Sequence, residues 1–214
     1  MAIEINDAEK DILREILNIG VARAADSFAT IVHERVLLTV PHIKILQLFQ
    51  VQHIKQGFKD NDTLIQSKIS GDLTGKTFLL LRQEQVEQIA ERCLKDHNTA
   101  SGANNGLQDS LLMEISNILT GAVLTQIADI MGFEIMGSPP EAPTKNVMEG
   151  IKTIVLDFPV NQPLVLTVNT SFLSERSVLE FPLILVFNTE SFEKMVRKVR
   201  TGKDHILIRK NKLI

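Results

Sequence analysis

The residues Asp11–Gly20 read DILREILNIG, and the residues Ser110–Leu119 read SLLMEISNIL. The second stretch follows the first at an offset of 99 positions. That offset pairs identical polar residues, Glu15 with Glu114 and Asn18 with Asn117. A repeat at nearly half the chain length indicates two related halves that share one core. We therefore predict an internal duplication.

Both copies lie in runs whose apolar residues recur at helical spacing. The first run predicts a helix from about Asn6 to Val32, with Asn6 or Asp7 as its cap. The second predicts a helix over Leu107–Met131, ended by Gly132. Gly20 inside the first helix costs about 1 kcal/mol relative to Ala, which predicts that another segment packs closely there.

The remaining pattern alternates strands and shorter helices. Strands are predicted at Val36–Val40, His42–Val51, Leu64–Ser70, Lys76–Arg82, Phe133–Met136, Lys152–Asp157, Leu164–Phe172, Phe181–Phe187 and Ile206–Arg209, helices at Gln83–Lys95 and Thr189–Arg200, and a proline-rich surface loop at Gly137–Gly150. We predict an α+β fold: one domain over residues 1–214, made of pseudo-twofold halves at about 1–96 and 106–214 with a polar linker at about 97–105. An antiparallel β-sheet forms the core, and the two long helices carry the candidate sites on one face.

Composition narrows the class of protein. Hydrophobic residues make up 44% and charged residues 23%, as in soluble globular proteins. No run of about 18 apolar residues or basic leader is present, so we expect a cytoplasmic protein without a membrane partner. The lone Cys93 cannot form an internal disulfide. Trp and Tyr are absent, which argues against nucleic acid as a partner.

Basic residues crowd the C-terminal end. They are Lys194, Arg197, Lys198, Arg200, Lys203, Arg209, Lys210 and Lys212. Such a cluster is typical of a solvated helix and tail, and the alternative is a surface that steers an acidic partner.

The repeated polar residues form a stripe on each predicted helix. Positions 11, 15, 18 and 22 fall within a sector of roughly 60°, opposite the apolar face. The first stripe is Asp11, Glu15, Asn18 and Ala22, and the second is Ser110, Glu114, Asn117 and Gly121. In each, a carboxylate and an amide stand one turn apart, and the next turn carries a small residue. That small residue leaves room for a partner to approach the amide.

The sequence disfavours other interpretations of its polar residues. Glu and Asn on one helix are ordinary solvated surface, but their retention in both copies, while most of the polar face differs, favours function. The segment Gly71–Thr77 is similar to a phosphate-binding loop, yet a strand follows it, so a hairpin turn is predicted. The five histidines lack metal-ligand spacing. A carboxylate dyad of Glu15 and Glu114 is disfavoured because both stripes are predicted to face outward.

The pattern Asp/Ser-x3-Glu-x2-Asn-x22-Pro resembles the signature of the CheC/CheX/FliY family of chemotaxis phosphatases. It occurs twice, at Asp11, Glu15, Asn18 and Pro41 and at Ser110, Glu114, Asn117 and Pro140. The repeated halves are similar to those of two-site CheC members, and the resemblance covers nearly the whole chain. The chain departs from the family after the first Asn, where Ile19–Arg23 replaces a small, Gly/Asn-rich stretch, and at Ser116, where Gly is common.

The resemblance implies dephosphorylation of an aspartyl-phosphate on a CheY-type response regulator. It implies that Asn18 and Asn117 orient the attacking water and that Glu15 and Glu114 pair with a regulator lysine. Asp11, Ala22, Ser110 and Gly121 would then be partner-binding positions. No cofactor or metal of the chain's own is expected, because Mg²⁺ comes with the phosphorylated regulator. The alternative is a non-catalytic module that binds regulators or the deamidase CheD.

Overall fold

The computed structural model describes residues 5–32, 37–38, 42–47, 58–59, 61–93, 104–145, 147, 150, 164–173 and 178–201. The helices there are α1 (Asp7–Val32), α2 (Gln83–Cys93), α3 (Asn104–Met131) and α4 (Thr189–Thr201). The strands are β1 (Leu37–Leu38), β2 (His42–Gln47), β3 (Thr63–Gly71), β4 (Gly75–Leu81), β5 (Ile135–Gly137), β6 (Leu164–Leu173) and β7 (Val178–Phe187). The predicted α+β class is confirmed.

Most predicted elements agree with the structure within a few residues. The long helices lie where predicted, but α3 begins at Asn104, so the last two residues of the predicted linker are helical. Strand β5 begins two residues late and ends one residue late, and β7 begins three residues early at Val178. The other predicted linker residues, the strands at Lys152–Asp157 and Ile206–Arg209, and Pro41 lie outside the described residues.

The strands form one antiparallel sheet in the order β1-β6-β7-β4-β3-β5, and β2 pairs with β6. Strands β4 and β7 pair at its centre, from Gly75 opposite Phe187 to Leu79 opposite Leu183. The exchange of β1 with β5, β3 with β6 and β4 with β7 reverses this order, and the two strands of each exchanged pair begin about 100 residues apart along the chain. Such an exchange is what a duplicated chain would give, and the duplication itself stays a prediction.

Apolar side chains on both faces hold the sheet in place. All four helices contribute to a core on one face, through residues such as Leu17 of α1, Leu119 of α3 and Met195 of α4. The other face carries a smaller cluster: Leu64, Phe78, Leu80, Val147, Val165, Ile184 and Val186. Because β4 is buried on both faces, its residues Phe78–Leu81 are all apolar rather than alternating.

The predicted surface loop after β5 is wrong in part. The segment runs along β3: the Ser138 amide donates to the Lys68 carbonyl, and Leu64 and Thr144 exchange two backbone hydrogen bonds of 2.9 Å. Pro140 and Val147 are buried. Prolines lack an amide hydrogen, so they interrupt regular pairing while the segment still covers the edge of β3.

Helix α3 has the length and the mean hydropathy (1.4) of a membrane span, but half of that window is buried inside the protein. It packs against α1 and contributes buried residues such as Ile115 and Val123 to the core. A core helix of a globular fold meets the same compositional test, and the packing of α3 is that of a core helix.

Candidate functional site

The start of α1 is held by a reciprocal pair of hydrogen bonds. The Glu9 amide donates to Asn6 Oδ1, and the Asn6 amide donates to Glu9 Oε2, both at 3.0 Å. This is a capping box with Asn6 as the cap. It confirms Asn6 rather than Asp7 as the first cap residue. With this cap, α1 begins at Asp7, four residues before the stripe begins at Asp11.

Glu9 also links α1 to α4. Its side chain is only 3% exposed, and Arg200 Nε donates to Glu9 Oε1 at 2.7 Å. This hydrogen bond raises the pKa of the Arg200 guanidinium above its ordinary value. A buried carboxylate needs such a partner, because an unpaired charge inside the protein is costly. The helix that carries the first stripe is therefore tied to the last described helix.

Replacing Asn6 with Ala is expected to lower the free energy of unfolding by about 1 kcal/mol, because the Glu9 amide loses its acceptor. Urea denaturation followed by circular dichroism measures the change. Asn6→Ser retains an oxygen at the cap and is the matched control. An unchanged denaturation midpoint for Asn6→Ala would show that the box does not stabilise the helix start.

On α1 the stripe is only partly open to solvent. Asp11 and Ala22 are exposed, whereas Glu15 and Asn18 are half-buried. Asp11 Oδ1 accepts a hydrogen bond of 2.9 Å from Arg14 on the next turn. Pairs of this exposed kind contribute little to stability, so Asp11 retains freedom to meet a partner.

The amide of Asn18 is unusually placed. Its Oδ1 atom is buried and has no hydrogen-bond partner among the described residues. Leaving a buried acceptor unpaired costs roughly 1–3 kcal/mol, and most buried polar atoms avoid that cost. The α1 stripe therefore holds its amide oxygen turned away from solvent, at an energetic cost.

On α3 the stripe is open throughout. Ser110, Glu114, Asn117 and Gly121 are all exposed. Ser110 Oγ donates to the Gly106 carbonyl at 2.8 Å, within the same helix. A methyl group built on Gly121 would meet nothing within 4 Å. The surface beside Asn117 is therefore clear, as predicted from the small residue there.

Helices α1 and α3 touch at Gly20. A Cβ atom added there would lie 2.9 Å from the Cα of Val123, closer than real contacts of this kind. The close packing predicted for Gly20 is confirmed. Gly20 lies about 200° around α1 from Asn18, and Val123 lies about 200° around α3 from Gly121. Each stripe therefore faces away from the other helix, and the structure does not bring the two stripes together into one site.

Two alternative kinds of site, a metal site and a phosphate-binding loop, can be compared with the structure. No group of three or more His, Cys, Asp or Glu side chains able to hold a metal ion occurs among the described residues. The segment at Gly71–Gly75 is a hairpin turn, as predicted: Gly71 has φ of 104°, and the Glu134 amide donates to Asp72 Oδ2 at 2.8 Å. The turn is thus hydrogen-bonded to Glu134, in the segment that follows α3.

The described part of the basic cluster is engaged within the chain. Its contacts are Lys194 with Glu190 (3.0 Å), Arg197 with Glu193 (3.3 Å), Lys198 over the Phe133 ring (5.7 Å) and Arg200 with Glu9 (2.7 Å). The first two are exposed pairs one turn apart on α4. The other basic residues, from Lys203 onward, lie outside the described residues. Steering of an acidic partner stays an expectation.

Asp62 is an ordered carboxylate that the sequence did not single out. Its oxygens accept from the amides of Lys59 at 2.7 Å and Gln83 at 2.9 Å, which fixes the start of α2. A cavity of about 150 Å³ beside it is lined by residues that include Arg82 and Glu84. Because both carboxylate oxygens are satisfied by the backbone, the role of Asp62 is structural.

The chain is similar to known proteins in both sequence and fold. A model of the CheC-like family matches residues 107–142, the segment that holds the α3 stripe and Pro140. The chain is 26% identical over 195 residues to the protein named CheY-P phosphatase CheC of Bacillus subtilis, covering 89% of this chain and 93% of that one. The resemblance to the CheC-like family is confirmed.

Solved structures agree on the fold. The structure of Thermotoga maritima FliY matches with a TM-score of 0.69 at 19% identity, covering 93% of this chain and 99% of that chain. CheX in the CheX-CheY-BeF3-Mg²⁺ complex of Borrelia burgdorferi matches with a TM-score of 0.52 at 13% identity, covering 79% and 96%. At these identities the likeness establishes the fold.

Proposed function

We propose that this CheC-like chain is a phosphatase that hydrolyses the aspartyl-phosphate of a CheY-type response regulator. The observation that carries the proposal is the exposed pair Glu114 and Asn117 on α3, one turn apart beside the open surface at Gly121. The family-model match contains this pair. The name of the Bacillus subtilis relative, a CheY-P phosphatase, supports the same reaction.

Hydrolysis of the aspartyl-phosphate requires little covalent chemistry from the protein. A water attacks phosphorus in line with the bond to the aspartyl oxygen; that bond breaks, and phosphate and a free carboxylate are released. Asn117 presents a carbonyl that accepts a hydrogen bond from the water and an amide that donates to a phosphoryl oxygen. Its contribution is to hold the water in position rather than to remove the proton.

Glu114 serves docking. It lies three residues before Asn117, so the two side chains extend from the same face of α3. Its exposed carboxylate pairs with a lysine of the regulator, and the pair is shielded from solvent when the surfaces meet. Ser110 and Gly121 border the contact. Ser110 presents a hydroxyl group, and Gly121 has no side chain that would hold the regulator away.

The α1 stripe is the second site of this proposal. Asn18 and Glu15 repeat the residue types and spacing, with Asp11 and Ala22 in the bordering positions. Because Asn18 Oδ1 is buried in the free protein, the side-chain amide must rotate before this oxygen can meet a water. We therefore expect the α1 site to work more slowly than the α3 site.

The partner follows from the reaction. The CheX-CheY complex of Borrelia burgdorferi shows a protein of this fold with such a regulator. Mg²⁺ is brought by the regulator's own phosphoryl site, where it neutralises phosphoryl charge; the chain contributes the Asn and Glu side chains. A cytoplasmic location follows from the partner. Binding of CheD, or of regulators without turnover, is the competing role.

The test follows loss of phosphate from a CheY-type regulator of the same organism that has been charged with acetyl phosphate and Mg²⁺. Adding the protein is expected to speed the loss in proportion to its concentration. If the protein binds the charged regulator yet leaves the rate of phosphate loss unchanged, the non-catalytic module is the correct function.

Replacing Glu114 with Ala is expected to raise KM about tenfold and to leave kcat nearly unchanged, because the docking pair is lost while Asn117 is retained. The rate of phosphate loss against regulator concentration gives both constants in an Asn18→Ala background. Asp109→Ala removes a carboxylate from the same helix, about 140° around from Glu114, and is the matched control. Equal KM for the two variants would contradict a docking role for Glu114.

A further inference from the structure

Two large apolar side chains are exposed among the described residues: Leu107 at 38% and Met136 at 71%. Leu107 lies in the first turn of α3, seven residues before Glu114. Seven residues are almost two full turns, so the two side chains leave the helix within about 20° of each other and about 10 Å apart along it. Leu107 therefore extends the α3 stripe at its N-terminal end.

Met136 lies on the other face of the sheet. Its neighbour Gly137 faces α3, since a Cβ added there would lie 3.2 Å from Leu124. Successive residues of a strand point to opposite faces, so Met136 points away from α3. Of the two exposed apolar side chains, Leu107 is the one beside the site.

The α1 stripe lacks this feature. Partly buried apolar residues flank both stripes at matching positions, Ile12 and Ile19 on α1 and Leu111 and Ile118 on α3. The offset that pairs these residues pairs Leu107 with Ala8, which is exposed. The two sites therefore present the same polar pair but differ in apolar surface at one end.

We propose that Leu107 is a docking contact of the α3 site, receiving an apolar side chain of the phosphorylated regulator, and that Ala8 makes the α1 site the weaker binder. The inference rests on the proposed function, since the regulator is its occupant. Leu107 lies about 15 Å along the helix from Asn117, within the roughly 800 Å² that one partner contributes to a specific interface. Burial of a leucine side chain that is otherwise exposed to water changes affinity by about tenfold or more.

The experiment measures binding separately from turnover. A fluorescently labelled CheY-type regulator of the same organism, loaded with beryllofluoride and Mg²⁺, is titrated with the protein, and anisotropy gives Kd. Glu15→Arg blocks the α1 stripe, and Glu114→Arg blocks the α3 stripe. In the first background Leu107→Ser is expected to raise Kd about tenfold. In the second, Ala8→Leu is expected to lower Kd about tenfold.

Leu107→Lys is a second variant at the same exposed position, and thermal melts confirm that each variant is folded. Unchanged Kd for both Leu107 variants overturns the docking contact, whatever the rate of phosphate loss. A higher Kd for the Leu107 variants without a lower Kd for Ala8→Leu overturns the ranking of the two sites. Leu107-dependent binding without turnover retains the contact and rejects the phosphatase, and absence of binding by the parent rejects both.

Discussion

The Asn117→Ala variant is expected to lose about a hundredfold of the regulator-dephosphorylation rate at the α3 site. The reason is geometric: a water misplaced by about 1 Å relative to the phosphorus can cost that factor. Single-turnover decay of the charged regulator measures the rate in an Asn18→Ala background, where the α1 site does not contribute. KM should stay close to that of the background, because Glu114 and the rest of the stripe are retained.

Thr125→Ala is the matched control for this result. Thr125 is exposed on α3 about 12 Å beyond Asn117 along the same stripe, so the substitution removes a polar side chain from the docking face while it leaves in place the amide that orients the water. It is expected to turn over the regulator at the parent rate. Parent-like turnover by the Asn18→Ala, Asn117→Ala double variant would reject the proposed role of asparagine in the reaction.

Asn18→Ala alone should have a smaller effect than Asn117→Ala alone. The Oδ1 atom of Asn18 is buried without a described partner, so only the fraction of molecules with the side chain turned outward is competent. Removing that amide also removes an unpaired buried acceptor. Asn18→Ala should therefore retain the full stability of the parent, which separates a catalytic loss from an unfolding defect.

The difference between the stripes shows where the sequence stops predicting the site. Helical spacing and the cap at Asn6 depend on neighbouring residues, so α1 and its stripe could be placed from the chain alone. The burial of Asn18 Oδ1 depends on which groups the fold packs around it, and residue spacing carries no such information. The sequence therefore predicted that both stripes face outward, whereas the structure shows one open and one partly closed.

Prediction of the fold from the sequence has the same limit. Strands such as β3 and β6 are long, β-rich runs between turn residues, and local composition identified them. The segment from Ser138 to Thr144 contains three prolines and predicted a surface loop, but its pairing with the edge of β3 was not predicted. Its position depends on the free hydrogen-bonding groups of a strand about 70 residues earlier, which a local pattern does not record.

The substitutions Gly20→Ala and Gly121→Ala are expected to change stability in opposite directions. Both remove a glycine from the interior of a long helix, which alone stabilises by about 1 kcal/mol. At Gly20 the new methyl group would lie 2.9 Å from the Val123 Cα, a backbone atom that yields only if the helices move apart. Overpacking of this kind costs roughly 1–3 kcal/mol, so Gly20→Ala is expected to lose about 1 kcal/mol net.

At Gly121 the same methyl group meets nothing within 4 Å, so the helix-propensity gain is retained and the unfolding midpoint rises. The methyl group stands beside Asn117, but Ala22 carries the same methyl group at the equivalent position of the α1 stripe, so KM should stay close to that of the parent while the protein is more stable. Thermal denaturation and the phosphate-loss assay measure the two effects separately. A Gly20→Ala protein as stable as Gly121→Ala would contradict the close crossing of α1 and α3, and with it the argument that the two stripes face apart.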